Sequence, residues 1–282
     1  MPAEAAVSVD SNRIHYLEAG AETDPTVVLL HGGIIDAAGV TWRPVIDRLA
    51  PDYHVLAPDL LGYGASDVPP GSYSIERHAT VVGDFLDELG LDGVTLVGHS
   101  MGGGIAIQLA LGRPALVGTL VPIDAYGLGS TLPNGGLSYL LARVQTFNRL
   151  SIALFRRSRR FTRASLGGIV HDLDSLPADA VDAVYEEVQR PTAGVAFRRF
   201  REAEVTREGY RTTFVDRFGE VSVPTRFAHG AHDELFPVEW AQRAADRVPD
   251  GSLRVFDDCA HWAPRENPGA VAKHIRSAVL DA

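Results

Sequence analysis

The feature that most constrains this chain is a short apolar run, Val94–Val97, that passes directly into Gly98-His99-Ser100-Met101-Gly102 and then into a helical pattern ending before Pro114. A strand that turns straight into a helix strains the backbone of the junction residue, and small neighbours relieve the crowding around it. Gly98 and Gly102 stand where side chains would collide, and Gly103 and Gly104 let the helix lie close on a sheet. Five residues of this type are weak evidence alone; the strand before and the helix after give them weight. The junction predicts a parallel strand with Ser100 raised above its carboxyl edge.

The same rhythm surrounds it. Apolar runs at Thr26–Leu30, His54–Ala57, Val94–Val97 and Leu116–Ile123 alternate with helical patterns at Thr41–Leu49, Ile75–Leu89 and Gly102–Gly112. Continuous rather than alternating apolar strands indicate burial on both faces, hence a mostly parallel sheet between two helical layers. Ala6–Val9 and Ile14–Leu17 can form an antiparallel start. From Gly127 to Thr213 only helical periods occur: Leu137, Leu140, Leu141, Val144 and Phe147, then Val181, Val184, Tyr185 and Val188, then Phe197 and Phe200. Strands return at Thr225–Ala228 and Leu253–Phe256, with helices at Val238–Val248 and from Ala270. One α/β core, 1–126 with 214–282, interrupted by an all-helical insertion over 127–213, is the expected organisation.

Composition excludes several classes. At 282 residues and 45% hydrophobic content the chain can bury a full core and is too apolar for disorder. A single cysteine, Cys259, rules out an intramolecular disulfide framework or a cysteine-rich zinc site. The net charge of −10 argues against nucleic acid as a partner. The insertion runs against that average, with 13 Arg against 9 Asp plus Glu (13 − 9 = +4). That excess reads first as a solvated arginine-rich helical face, and second as a lid attracting anionic substrates or surfaces. The run Arg156, Arg157, Arg159, Arg160 is too short and unsupported elsewhere to read as a localisation or nucleic-acid patch. The opening residues lack the basic and apolar regions of a secretory signal, and the charge-free window Gly93–Gly112 holds six glycines, which suits a turn better than lipid. No membrane association and a cytoplasmic location are expected; the oligomeric state is left open.

A serine hydroxyl needs a base held by a carboxylate to act as a nucleophile. Asp233 follows one late strand and His261 the next, so both loops open on the edge that carries Ser100. Asp124, at the end of the strand after the nucleophile helix, competes with Asp233 for the acid. Backbone N–H groups to hold a developing oxyanion are expected from Met101 and from His31-Gly32-Gly33-Ile34, with Gly33 the donor and Ile34 its rival. Gly32, Ile34, His99 and Trp262 flank these groups and are expected to face the substrate. Cys259 lacks a base and reads as a small buried residue. His31, His99, His229 and His232 lack ligand spacing, so neither a metal nor another cofactor is expected.

These residues resemble the α/β-hydrolase fold with a helical cap, from about Val27 to the C-terminus apart from the cap. The resemblance rests on His31-Gly32-Gly33, on Asp59-Leu60-Leu61-Gly62-Tyr63-Gly64-Ala65-Ser66-Asp67, and on Gly98–Gly103, Gly230-Ala231-His232-Asp233 and His261-Trp262. It implies a mostly parallel eight-stranded sheet flanked by helices. It also implies a Ser-His-Asp hydrolase of a small carboxylic ester or lactone. Serine at position 100 argues against the epoxide hydrolases and haloalkane dehalogenases, which use aspartate. Carbon–carbon bond hydrolases of aromatic degradation are similar around His261-Trp262-Ala263. They usually carry asparagine where this chain has His99, and a longer glycine-proline oxyanion loop, so that reading stands second. A non-catalytic ligand sensor on the same fold is the third.

Overall fold

The computed structural model describes residues 1–131 and 152–280. Eight strands form one sheet: β1 Ala3–Val9, β2 Asn12–Ala19, β3 Thr26–Leu30, β4 His54–Pro58, β5 Val94–His99, β6 Val117–Ile123, β7 Thr225–Gly230 and β8 Gly251–Phe256, in the order β1-β2-β4-β3-β5-β6-β7-β8. β2 runs antiparallel to β1 and β4; all other pairs are parallel. This is the mostly parallel eight-stranded sheet that the apolar runs predict.

The strand period of two divides each central strand between two cores. Val28, Leu30, Leu96 and Leu120 face the layer of helices α2 (Ile75–Glu88) and α3 (Met101–Gly112). Val27, Leu29, Val97 and Val121 face α1 (Ala38–Leu49) and the C-terminal helix Pro268–Leu280. Burial on both faces explains why these strands read as unbroken apolar runs. α1 begins three residues before the expected start because Ala38 N–H finds an acceptor in the Asp59 carboxylate, 2.9 Å away.

Between β6 and β7 the described residues hold helices and one isolated bridge, Val205 to Tyr210. The chain leaves at Gly127 and returns at Phe214, whose N–H donates to Gly127 O at 2.9 Å. Helices α4 (Arg159–Leu166), α5 (Ala178–Val188) and α6 (Val195–Glu204) lie in this segment. Leu166, Val170, Val181 and Val184 pack with Val40 and Trp262 of the sheet-bearing part. The helix expected around Leu137–Phe147 lies outside the described residues. Within the arginine run, Arg156 caps the carbonyls of Val188 and Arg190, and Arg159 pairs with Asp182 at 2.8 Å. Among the described residues no helix is long and apolar enough to cross a membrane.

Candidate active site

β5 delivers Ser100 at the carboxyl edge of the sheet with φ 52° and ψ −117°, a region that costs a non-glycine residue energy. Two backbone bonds hold it there: Ser100 N–H to Ile123 O and Tyr126 N–H to Ser100 O, both 2.9 Å. The turn is so tight that a Cβ on Gly98 would lie 2.2 Å from Gly102 O, and one on Gly102 would lie 2.4 Å from Leu30 O. No side chain fits at either position.

β7 and β8 bring the other two groups to the same edge. His261 Nδ1 lies 2.8 Å from Asp233 Oδ2, and His261 Nε2 lies 2.9 Å from Ser100 Oγ. A carboxylate only accepts, so Nδ1–H donates to Asp233, and the hydroxyl can donate to Nε2. Asp233 is fixed further by N–H donors from Leu235 at 2.8 Å and Phe236 at 3.1 Å, both to Oδ1. Burial alone would raise its carboxyl, but His261, His229 and the Phe236 N–H outweigh burial and hold it below the usual carboxylate range.

Asp124 sits close by without touching the histidine. Its Oδ1 accepts Gly230 N–H at 2.8 Å, its Oδ2 is buried with no partner among the described residues, and its φ is 47°. Burial and then the neighbouring Asp233 push its carboxyl well above the usual range. Asp124, His229 and Asp233 bring potential ligand atoms within 4.8 Å of one another. They suit a cation poorly, because Asp233 Oδ2 is taken by His261 and His229 Nε2 donates to Phe236 O at 2.8 Å. Cys259 is buried, and desolvation pushes its thiol up to about 12, which leaves it inert as a nucleophile.

The loop after β3 meets the turn at Ser100. A Cβ on Gly33 would lie 3.7 Å from Met101 Sδ and 2.9 Å from the Phe197 ring of α6. A Cβ on Gly32 would lie 3.1 Å from both Asp36 Oδ2 and His99 Nδ1. Ile34 is 44% exposed at φ 63°, a conformation that β-branched residues rarely adopt. His99 and Trp262, expected to face substrate, have their ring N–H groups occupied within the protein. His99 Nε2 donates to His261 O at 2.6 Å, and Trp262 Nε1 donates to Thr41 Oγ1 at 2.9 Å. Burial, then His261, lowers His99 to about 3, so it stays neutral.

Sequence reasoning did not single out Asp36, Thr41, Phe236 or Glu204. Phe236 stands edge-on to His261 with centroids 5.3 Å apart. Glu204, fully buried in α6, accepts from Ile75 N–H, Tyr126 Oη–H and Thr212 N–H. Asp36 bonds near neighbours, Gly32, Ala37 and Thr41, whereas Thr41, Phe236 and Glu204 meet Trp262, His261 and Ile75, which are distant in sequence and leave no local signal. Among the aromatics of the helical segment, Phe197 lies against Gly33 and Phe155 pairs edge-on with Phe161, while Phe147 lies outside the described residues.

The family described as alpha/beta hydrolase fold matches residues 25–268. An uncharacterized protein of Mycobacterium tuberculosis is 32% identical over 260 residues, covering 88% of this chain and 73% of that protein. A 2-hydroxy-6-oxononadienedioate/2-hydroxy-6-oxononatrienedioate hydrolase of Cupriavidus pinatubonensis is 31% identical over 270 residues, 93% of this chain and 89% of that protein. Among solved structures, a serine hydrolase involved in carbazole degradation superposes with a TM-score of 0.83 at 24% identity, covering 100% of both chains.

Proposed function

Because this chain belongs to the alpha/beta hydrolase fold family, a group of hydrolases that share one scaffold and differ in the bond they cleave, we propose that it hydrolyses a small-molecule carboxylic ester or lactone through an acyl-enzyme on Ser100. The observation that carries this reading is the continuous contact from Asp233 through His261 to Ser100, at 2.8 and 2.9 Å. Ser100 Oγ attacks the acyl carbon while His261 Nε2 takes its proton. Asp233 keeps the imidazole in the Nδ1–H tautomer and stabilises its charge. The N–H groups of Met101 and Gly33 hold the oxyanion, and His261 then protonates the leaving alcohol. Water repeats the sequence on the acyl-enzyme. The segment 127–213 acts as a cap, with Phe197 bounding the acyl site beside Gly33.

A second reading is favoured by the relatives named as hydrolases of 2-hydroxy-6-oxo dienoic acids, at 31% and 30% identity. The same three side chains would then cleave a carbon–carbon bond next to a ketone. The test is hydrolysis of p-nitrophenyl butyrate by the wild type and Ser100→Ala, beside cleavage of a 2-hydroxy-6-oxo dienoate. Ester turnover lost in Ser100→Ala supports the first reading. Dienoate cleavage without ester turnover moves the assignment to the second, and turnover retained by Ser100→Ala overturns both.

A further inference from the structure

The oxyanion loop and the histidine loop are joined by a buried chain of hydrogen bonds that passes outside the three catalytic side chains. Asp36 Oδ2 accepts Gly32 N–H at 2.8 Å, and Asp36 Oδ1 accepts Ala37 N–H at 2.8 Å. One side chain thus pins the backbone on both sides of Gly33 and of Ile34, which is held at φ 63°. Thr41 Oγ1, on α1, lies 2.8 and 2.9 Å from the two Asp36 oxygens and can only be the donor to them. The same hydroxyl accepts Trp262 Nε1–H at 2.9 Å. Trp262 follows His261 directly, and His261 O is held by His99, the residue before Ser100. Asp36, Thr41, His99 and Trp262 are all buried.

We infer that Asp36 and Thr41 are positioning residues. They hold the Gly32–Ile34 backbone, strained at Ile34, and lock its place relative to His261. The role rests on the acyl-enzyme reading above. A strained loop next to reacting atoms relaxes unless its surroundings over-determine it. Here the clamp is an acceptor-only carboxylate facing three donors, two from the loop and one from a hydroxyl that also takes the indole N–H. Oxyanion donors act only when fixed before charge develops, so loosening the clamp weakens the transition state more than substrate binding.

Thr41→Val keeps the shape and removes both hydrogen bonds of the hydroxyl; Thr41→Ser restores them. Asp36→Asn replaces one acceptor oxygen by a donor and opposes one of the loop N–H groups. The experiment compares these with the wild type in four measurements: ester kcat and KM, the rate of fluorophosphonate labelling of Ser100, inhibition by phenylboronic acid, whose serine adduct is tetrahedral, and the urea midpoint. For Thr41→Val and Asp36→Asn, kcat and labelling rate are expected to fall between about 10- and 100-fold, with KM within about twofold. Phenylboronic acid should weaken in parallel, and Thr41→Ser should recover most of the loss. If Thr41→Val does not fold, Asp36→Asn and Thr41→Ser carry the same comparison. Unchanged kcat in a folded Thr41→Val or Asp36→Asn overturns the role, as does Thr41→Ser failing to recover. So does a fall confined to the urea midpoint. A wild type whose Ser100 does not label overturns the acyl-enzyme reading and this role with it, whereas labelling equal in wild type and Thr41→Val overturns the role alone.

Discussion

His99 donates its Nε2–H to the carbonyl oxygen of His261 across 2.6 Å, joining the turn at Ser100 to the His261 loop one residue away from Ser100. Nε2–H makes this bond whether or not Nδ1 is protonated; burial, then His261, lowers His99 to about 3 and keeps the ring neutral. The two loops therefore keep their relative position over the pH range in which an ordinary imidazole changes charge.

That neutrality has a cost for stability in acid. His78 is likewise lowered to about 3 by burial, then by His31 and Arg77, and neither of its ring nitrogens has a hydrogen-bond partner among the described residues. Unfolded, both rings would take up a proton near about 6.5. Folded values below unfolded ones mean that the stabilisation is complete above about pH 6.5 and is lost as pH falls toward 3, by up to about 1.4 kcal/mol per pH unit for each ring. Urea unfolding at pH 7, 6 and 5 should show this slope, and His78→Phe should flatten it. An equal slope in the variant would refute the neutral His78.

The acid of the site is assigned by orientation, and a pair of variants tests it. Asp233→Asn should lower ester kcat by about 10⁴-fold, because the amide no longer enforces the imidazole tautomer. Asp124→Asn should stay within about tenfold of wild type, since that side chain is turned to Gly230 N–H. The reverse ranking in steady-state assays would transfer the role to Asp124.

Glu204 joins the helical segment to α2 and to Tyr126 through three donors. Glu204→Ala leaves those donors without an acceptor in a dry interior and is expected to destabilise by about 3 kcal/mol. Urea unfolding measures it directly, and Glu204→Gln, which keeps one acceptor, should lose less. A Glu204→Ala protein as stable as wild type would show that the contact is not holding the segment.

Much of this molecule is legible from local pattern. The apolar runs marked all eight strands: the central ones because residues buried on both faces of a sheet must be apolar whatever their distant neighbours, whereas β1 and β8, at the two edges, are largely exposed and carry only a few apolar residues. Ser100 was legible for a similar reason: the clash that excludes a side chain at Gly98 arises within five residues of chain, from Gly102 O. Asp233 and His261 were legible as loop positions after late strands.

What the sequence by itself determined, then, is the order of strands and helices and the edge on which the reactive groups emerge, since both follow from short-range sterics and hydrophobic periodicity. Only the tertiary structure decided which carboxylate meets His261. Asp124 and Asp233 both follow strands onto the same edge, and their difference is a side-chain direction set by Gly230 N–H in one case and by Leu235 and Phe236 in the other. It also decided that Asp36, Thr41 and Trp262 belong together. Thr41 and Trp262 are 221 positions apart, and their contact exists because α1 and the histidine loop pack at one end of the sheet, a distance that no local pattern encodes.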